Sequence, residues 1–466
     1  MIAVHKASSR IIIIVCFLVT YIPINALSSL ARNDPYPVFS SQDPHTFLYT
    51  HEKLKIKDPE FAERKRDNVG ISISPFGQNA DRGRNTQGVR TDLGDLTGRW
   101  GMIPLLYGPI PNGKTMAPIL QTALNNLFPG VLPGDLNDPT KIDPTQNFGY
   151  FSVPLEYRKR GVRLQLDADI YAGFGIRLQT GIVSMSQTNT GFIDLTTCTP
   201  MSCQFDPAPI TGEQVEEFLM QPLKTIAEEI KIDICNWCEV SIEEVRIELF
   251  WRRGFELNRE EEDWPHFLIV PFFVVGGTVS PGSENRISEG GFNRAFFLPF
   301  GNNDHSGVGF TAGLDIDFVE SIELGAEVGM TYFFKRNFEK FRVPTSEYQT
   351  SIFPFTTDVS VHPGFNWHFG AKIAAYHFLE RLSGWLQYIQ MEHKPDDITL
   401  RKCEDEGIFL PEVLECVSGF KAKFIDVGLN YDISPNISLG LFWQAPITQQ
   451  NTYRSSTIML TFNATF

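Results

Sequence analysis

The sequence predicts an all-β fold: a transmembrane antiparallel β-barrel of about twelve strands with long external loops. Three observations predict it. Apolar and polar residues alternate over runs of about ten residues, the length a tilted strand needs to cross a bilayer. Short and long connections between the runs alternate, as in barrels that keep turns on one side of the membrane and loops on the other. The composition agrees. Mean hydropathy is slightly polar at -0.12 although 12% of residues are aromatic and 38 are Phe, the balance expected when only alternate residues face lipid.

The first element is an export signal over residues 1–26. Lys6 and Arg10 precede an apolar run at 11–22, and a small-residue cleavage point follows Ala26. That run is shorter than the roughly 20 residues of a spanning helix, and Cys16 inside it reads as apolar filler. Residues 27–68 are polar, with Lys53, Lys55, Lys57, Arg64, Lys65 and Arg66, and read as a periplasmic extension.

The barrel is expected over 69–466, with loop insertions at 77–146 and 184–244. The clearest strand is 321–333, where Ile322, Leu324, Ala326, Val328, Met330 and Tyr332 alternate with Glu323, Gly325, Glu327, Gly329 and Thr331. The segments 162–170, 245–252, 308–318, 365–373, 427–432 and 437–443 repeat the pattern, and 69–76, 147–157, 267–277 and 382–391 do so more weakly. A final strand ends the chain and completes an even number, as bacterial barrels require. Tight turns are expected at 159–161, 319–320, 379–381 and 434–436, and long segments also at 278–306, 333–363, 392–419 and 446–455. The acidic stretch 253–265 is an irregular turn. This order places both ends of the barrel on the periplasmic side. It also sets Tyr332, Phe365, Trp367 and Trp443 near the outer rim, and Tyr157, Trp251, Phe318, Tyr431 and Phe466 near the inner one, as interfacial aromatics prefer.

At the end of the chain Ile458, Leu460, Phe462, Ala464 and Phe466 alternate with Thr457, Met459, Thr461, Asn463 and Thr465. This ending resembles the closing amphipathic strand of bacterial outer-membrane β-barrel proteins, the porin-like class, with Ala464 where the signature favours an aromatic. The resemblance implies a bacterial outer-membrane location, contact with outer-membrane lipid, and insertion by the barrel-assembly machinery with Phe462 and Phe466 as its signal.

Parity turns one set of charges to the lumen: Asp167, Asp169, Glu248, Asp315, Asp317, Glu323, Glu327, Asp426 and Asp432, faced by Arg163, Arg177, Arg246, Arg252, His368 and Lys372. Charge rings set pore selectivity, so this acidic excess predicts cation preference if the barrel conducts. The alternative is a closed barrel filled by its own salt bridges. Cys198, Cys203, Cys235, Cys238, Cys403 and Cys416 all fall in external loops, and export favours disulfides: 198–203, 235–238 and 403–416 are the simplest pairing. A zinc site built from the first four is the sharper alternative. Apolar residues at helical spacing over 212–230 predict a loop helix, and 102–133 is expected to fold inward and narrow the channel.

The net charge of -15 argues against nucleic acid. The leading functional expectation is a porin-like channel for small hydrophilic solutes, with no catalysis, metal or cofactor and no assigned oligomeric state. A barrel enzyme of lipase or protease type would need a held nucleophile, and His305 beside Ser306 and the lumenal His368 carry no recognisable motif. A surface adhesin acting through its loops is the third reading.

Overall fold

The computed structural model describes residues 69–101, 109, 111, 150–195, 227–228, 230–257, 267–279, 293–296, 305–318, 322–350, 353–379, 381–434 and 436–466. The expected export signal and extension to residue 68, the segment 102–133 expected to fold inward (apart from 109 and 111), most of the helix expected at 212–230, Cys198 and Cys203 lie outside them.

Twelve antiparallel strands form the barrel. They are β1 (Val69–Arg84), β2 (Glu156–Tyr171), β3 (Phe174–Thr188), β4 (Trp237–Ile242 continued by Val245–Arg252), β5 (Phe267–Val279) and β6 (Gly307–Phe318). Then come β7 (Ile322–Phe333), β8 (Asn366–Leu379), β9 (Leu382–His393), β10 (Phe420–Ser434), β11 (Ile437–Gln450) and β12 (Thr452–Thr465). Each pairs with its neighbour in sequence, and β12 closes on β1 from Gly70↔Thr465 to Arg84↔Thr452. Closure leaves no unpaired edge, a condition for a sheet in hydrocarbon.

Alternation sorts the faces as expected. Outward residues such as Ile73, Leu164, Leu249, Phe310, Leu324, Leu441 and Leu460 are exposed, while their sequence neighbours Ser72, Gln165, Glu248, Thr311, Glu323 and Thr461 are buried inside. A barrel with an apolar exterior belt and a polar interior is a transmembrane barrel of outer-membrane type. No helix among the described residues is long and apolar enough to cross a membrane.

Two expected connections are corrected. Residues 159–161 are not a turn but the interior of β2, with Lys159 turned inward and Arg160 outward. The turn lies at Ala172–Gly173, where both residues have positive φ (52° and 87°), the conformation of a two-residue hairpin whose twist matches the strands. A Cβ on Gly173 would collide with the Arg252 carbonyl. Residues 150–155 are therefore not part of a barrel strand and β3 is one, so the number twelve survives a strand lost and a strand gained. Tyr157 moves with this correction, to the loop end of β2 and facing inward. Residues 446–455 are not a loop either. Pairing runs to Gln450 and resumes at Thr452, with Asn451 alone between them at φ 55°, and Trp443 falls in mid-strand, opposite Val427 and Ile458.

Strands outlast the membrane at the loop rim, and ordered loops crown it. Arg336–Arg342, Thr356–His362 and Asp397–Leu400 form a three-stranded sheet, covered by helix α1 (Pro411–Ser418). Phe338, Phe341, Val343, Val359, Val361, Ile398, Phe409 and Leu414 make its separate core. Arg342 ties this cap to the next loop. Its guanidinium donates to the carbonyls of Ile230, Lys231, Phe353 and Pro354, and burial pulls its pKa down to about 10. In the first loop, Leu93–Asp95 lies against β1, Leu96 reaches Gly83 of that strand, and Trp100 packs on Phe192 and Phe296. Asp95 accepts from the Ser152 hydroxyl (2.5 Å) and the Val153 amide (2.9 Å). Burial pushes its carboxyl above the usual carboxylate range.

Candidate functional site

The lumen is the candidate site, because period-two alternation delivers every second side chain of every strand to it. All the residues assigned to it by parity point inward, and the structure groups them into clusters.

The first cluster lies on β2, β3 and β4 toward the turn rim. Arg177 is 1% exposed, and its Nε donates to Asp167 Oδ1 at 2.6 Å while Nη1 donates to Glu248 Oε2 at 3.0 Å. Gln165 Nε2 donates to the other Asp167 oxygen at 2.6 Å, and Arg246 adds a longer contact to Glu248 at 4.0 Å. Asp169 lies further down β2, half-buried. The second cluster joins β4, β6, β7 and β8. Lys372 Nζ sits 2.7 Å from Glu323 Oε1 and 3.5 Å from Asp315 Oδ1. Arg252 Nη2 takes the other Asp315 oxygen at 3.0 Å, and the Tyr376 hydroxyl donates to Glu323 at 3.2 Å. Asp317 is buried one inward position below Asp315. Register explains the meeting: Asp315 faces Gly325, and Gly325 faces Lys372, so a lysine reaches across a residue without a side chain.

A third cluster was not anticipated. Glu243 binds Arg163 through Nε at 2.8 Å and Nη2 at 3.0 Å, and Lys159 at 3.0 Å. It occupies the interruption at 243–244 in β4. Reading β4 back to Trp237 would have found it; the segment CEVSIEE is too polar to look like a membrane strand.

The remaining wall differs. On β11, β12 and β1 the inward residues are mostly hydroxyls and amides. Ser72 Oγ donates to Asn463 Oδ1 (2.6 Å), Ser74 Oγ to Thr461 Oγ1 (3.1 Å), and Asn463 Nδ2 to Ser438 Oγ (3.2 Å). Asp426 lies at its edge, fully buried, opposite Gln387 on β9 and Gln444 on β11. Neither Asp426 oxygen is held in a hydrogen bond among the described residues. Gln387 Nε2 donates at 3.1 Å to Glu327 on β7, so an amide separates two lumenal carboxylates. Asp432, lower on β10, accepts from Asn430 at 3.1 Å.

Apolar clusters flank this polar layer toward both rims. Leu268, Val270, Ala374 and Tyr376 pack with Trp385 near the turn rim, and Met391, Phe420, Ala422 and Phe424 pack near the loop rim. His368 is buried over Gly329, where a Cβ would strike the imidazole and the Thr311 hydroxyl. His305 bonds the Phe334 carbonyl at 3.0 Å and lies edge-on to Phe338, which pins the cap to the barrel rather than addressing Ser306.

No disulfide is formed among the described residues, where Cys235, Cys238, Cys403 and Cys416 are exposed. Strand geometry from Trp237 onward sends Trp237 inward and Cys238 outward beside Ser184. Cys403 sits in a 3-10 turn and Cys416 on α1. No group of three His, Cys, Asp or Glu among the described residues is arranged to hold a metal.

No protein-family model and no curated protein matches the chain in sequence. Solved structures match it in fold at low similarity. An outer membrane channel from Pseudomonas putida F1 aligns with a TM-score of 0.45 and 9% identity, over 88% of this chain and 99% of that one. The toluene transporter TbuX of Ralstonia pickettii aligns at 0.30 and 9%, over 86% and 90%. The translocator domain of the autotransporter NalP from Neisseria meningitidis aligns at 0.29 and 6%, over 92% and 100%.

Proposed function

We propose that this barrel is a bacterial outer-membrane channel that passes small hydrophilic solutes, prefers cations and performs no catalysis. The observation that carries the reading is the uneven neutralisation of the lumen. Arg177 is held by Asp167 and Glu248, Lys372 by Glu323 and Asp315, and Arg163 and Lys159 by Glu243. Asp426 faces the same space with glutamines as its register partners. Asp426 itself is fully buried, so the cation preference rests on the excess of lumenal carboxylates over lumenal arginines and lysines as a whole. The close packing around Arg177, Glu323 and Asp426 argues for a narrow path with small unitary conductance rather than a wide water-filled pore.

Reversal potentials across a planar bilayer in a salt gradient test this. Wild-type protein is expected to favour cations, and Asp432→Asn, at a lumenal carboxylate that is only half-buried, to move the reversal potential toward zero while the barrel still folds. Anion preference, or bilayers that stay silent with correctly folded protein, would end the channel reading.

A further inference from the structure

Four arginines stand on the outside of the barrel, where solute passage gives them no role. Arg454 on β12, Arg82 on β1, and Arg158 and Arg160 on β2 are exposed, and β12, β1 and β2 are adjacent in the sheet. Register sets them within a few rows of one another: Arg158 pairs with Asn79, which pairs with Ser456, two residues along β12 from Arg454, and Arg160 pairs with Gly77, which pairs with Ile458, four residues from it. The hydrogen-bonded rows climb from β12 to β2 because the strands tilt. Counted up from the turn rim, Arg160 and Arg454 therefore stand level, with Arg158 and Arg82 above them. Directly below lie Ile458 and Leu460 on β12 and Val162 and Leu164 on β2, all exposed. The cluster occupies the upper boundary of the apolar belt, where hydrocarbon gives way to headgroups.

Neighbouring charge does not cancel it. Arg158 contacts Glu156 at 3.0 Å, with both side chains well exposed, and Asp81 is exposed beside Arg82. Arg82, Arg160 and Arg454 have no ion-pair partner among the described residues. Other sectors of the exterior differ. At their loop ends β6, β7 and β8 turn Val308, Phe310, Tyr332 and Trp367 outward. On β9 and β10 the outward Lys421 lies 3.6 Å from Glu392.

We infer that this face binds the phosphate groups of an anionic lipid in the leaflet at the loop rim. Guanidinium is planar and offers paired donors that match phosphate oxygens bidentately. Arginines on adjacent strands repel one another unless a polyanion lies among them. The apolar residues beneath would receive the acyl chains of such a lipid, which a free phosphate ion lacks. The inference rests on the barrel lying in a bilayer and is independent of conduction.

The test uses purified full-length protein in detergent with bis-phosphorylated lipid A, the same lipid after phosphatase treatment, and inorganic phosphate. Native mass spectrometry after detergent exchange reads the lipid retained per barrel. Wild-type protein is expected to keep the phosphorylated lipid and lose the dephosphorylated one. The triple variant Arg82→Ser, Arg160→Ser, Arg454→Ser should retain on the order of a hundredfold less, three cations at roughly 1 kcal/mol each being removed from an anionic surface. Lys421→Ser with Lys423→Ser should retain the wild-type amount. Equal retention of the two lipids, undiminished retention by the triple variant, or displacement by inorganic phosphate at matched concentration overturns the inference. Should the triple variant fail to insert, the phosphatase comparison on wild-type protein decides alone. Conductance recorded in the same preparation keeps this outcome separate from the fate of the channel reading.

Discussion

The lumen has two unlike walls. From β2 to β8 it is stapled by ion pairs, with Arg177, Arg163, Arg252 and Lys372 each reaching across strands to carboxylates. From β11 through β12 to β1 it is a ladder of short hydroxyls and amides bonded to the strand beside them. Both walls pair most of their buried polar groups, as burial requires, but at different risk. A hydroxyl that loses its partner leaves a small dipole unsatisfied, whereas a carboxylate that loses its cation leaves a whole charge in a poor dielectric. The charged wall is therefore the rigid and fragile side, and the neutral wall the tolerant one.

The largest expected effect breaks the charged wall. Arg177→Leu leaves Asp167 and Glu248 facing each other, and should cost about 3–5 kcal/mol. The loss would appear as a lowered urea midpoint for the reconstituted barrel and reduced heat-resistant migration. Lys372→Met should cost less, near the lower end at about 3 kcal/mol, because Arg252 still holds Asp315 and only Glu323 is abandoned. If both substitutions behave like surface changes, water reaches these clusters and the wall is not closed.

The neutral wall supplies the control. Ser74→Ala removes one bond to Thr461 and is expected to cost only about 0.5–1.5 kcal/mol in the same urea titration. A loss as large as that of Arg177→Leu would mean the hydroxyl ladder, and not the ion pairs, organises the interior.

Much of this division was legible in the sequence, because period two is a property of residues rather than of packing. Glu323 and Glu327 alternate with Leu324, Ala326 and Val328, and no other arrangement buries one set while wetting the other. Asp315, Lys372 and Asp426 followed from the same parity. What escaped has physical causes. The hairpin at Ala172–Gly173 went unseen because Lys159-Arg160-Gly161 mimics a polar turn, although in a long strand a lysine can point in while the next arginine points out. The junction at Asn451 was hidden because strands above the membrane have no reason to be apolar, so TQQNTYRSST carries no lipid-facing signal. Glu243 was lost for the same reason. The cap core around Phe338 and Val359 is a long-range assembly of two loops, and its members show no common period.

The smallest expected effect concerns the loop that rests on the neutral wall. Leu96 packs against Gly83 and Tyr453, on β1 and β12, and the turn behind it is tied by Asp95 to Ser152 and Val153. Burial raises the Asp95 pKa in the folded protein. A raised acid contributes stability that is complete below its unfolded pKa and disappears as pH rises through the folded one. Acidification should therefore tighten this loop, over a window opening at the ordinary carboxylate value and closing above it. Comparing the melting temperature of wild-type protein with that of Asp95→Asn at about pH 4.5 and about pH 7.5 isolates the group, since other titrations are common to both proteins. The wild type should gain relative to the variant at the acid end, and the variant should hold the advantage at neutral pH. A difference that does not change with pH would mean that the two donors, Ser152 and Val153, outweigh burial and keep the carboxylate ionised. The neutral wall would then carry a buried charge after all, and the contrast between the two sides of the lumen would narrow to one of side-chain length.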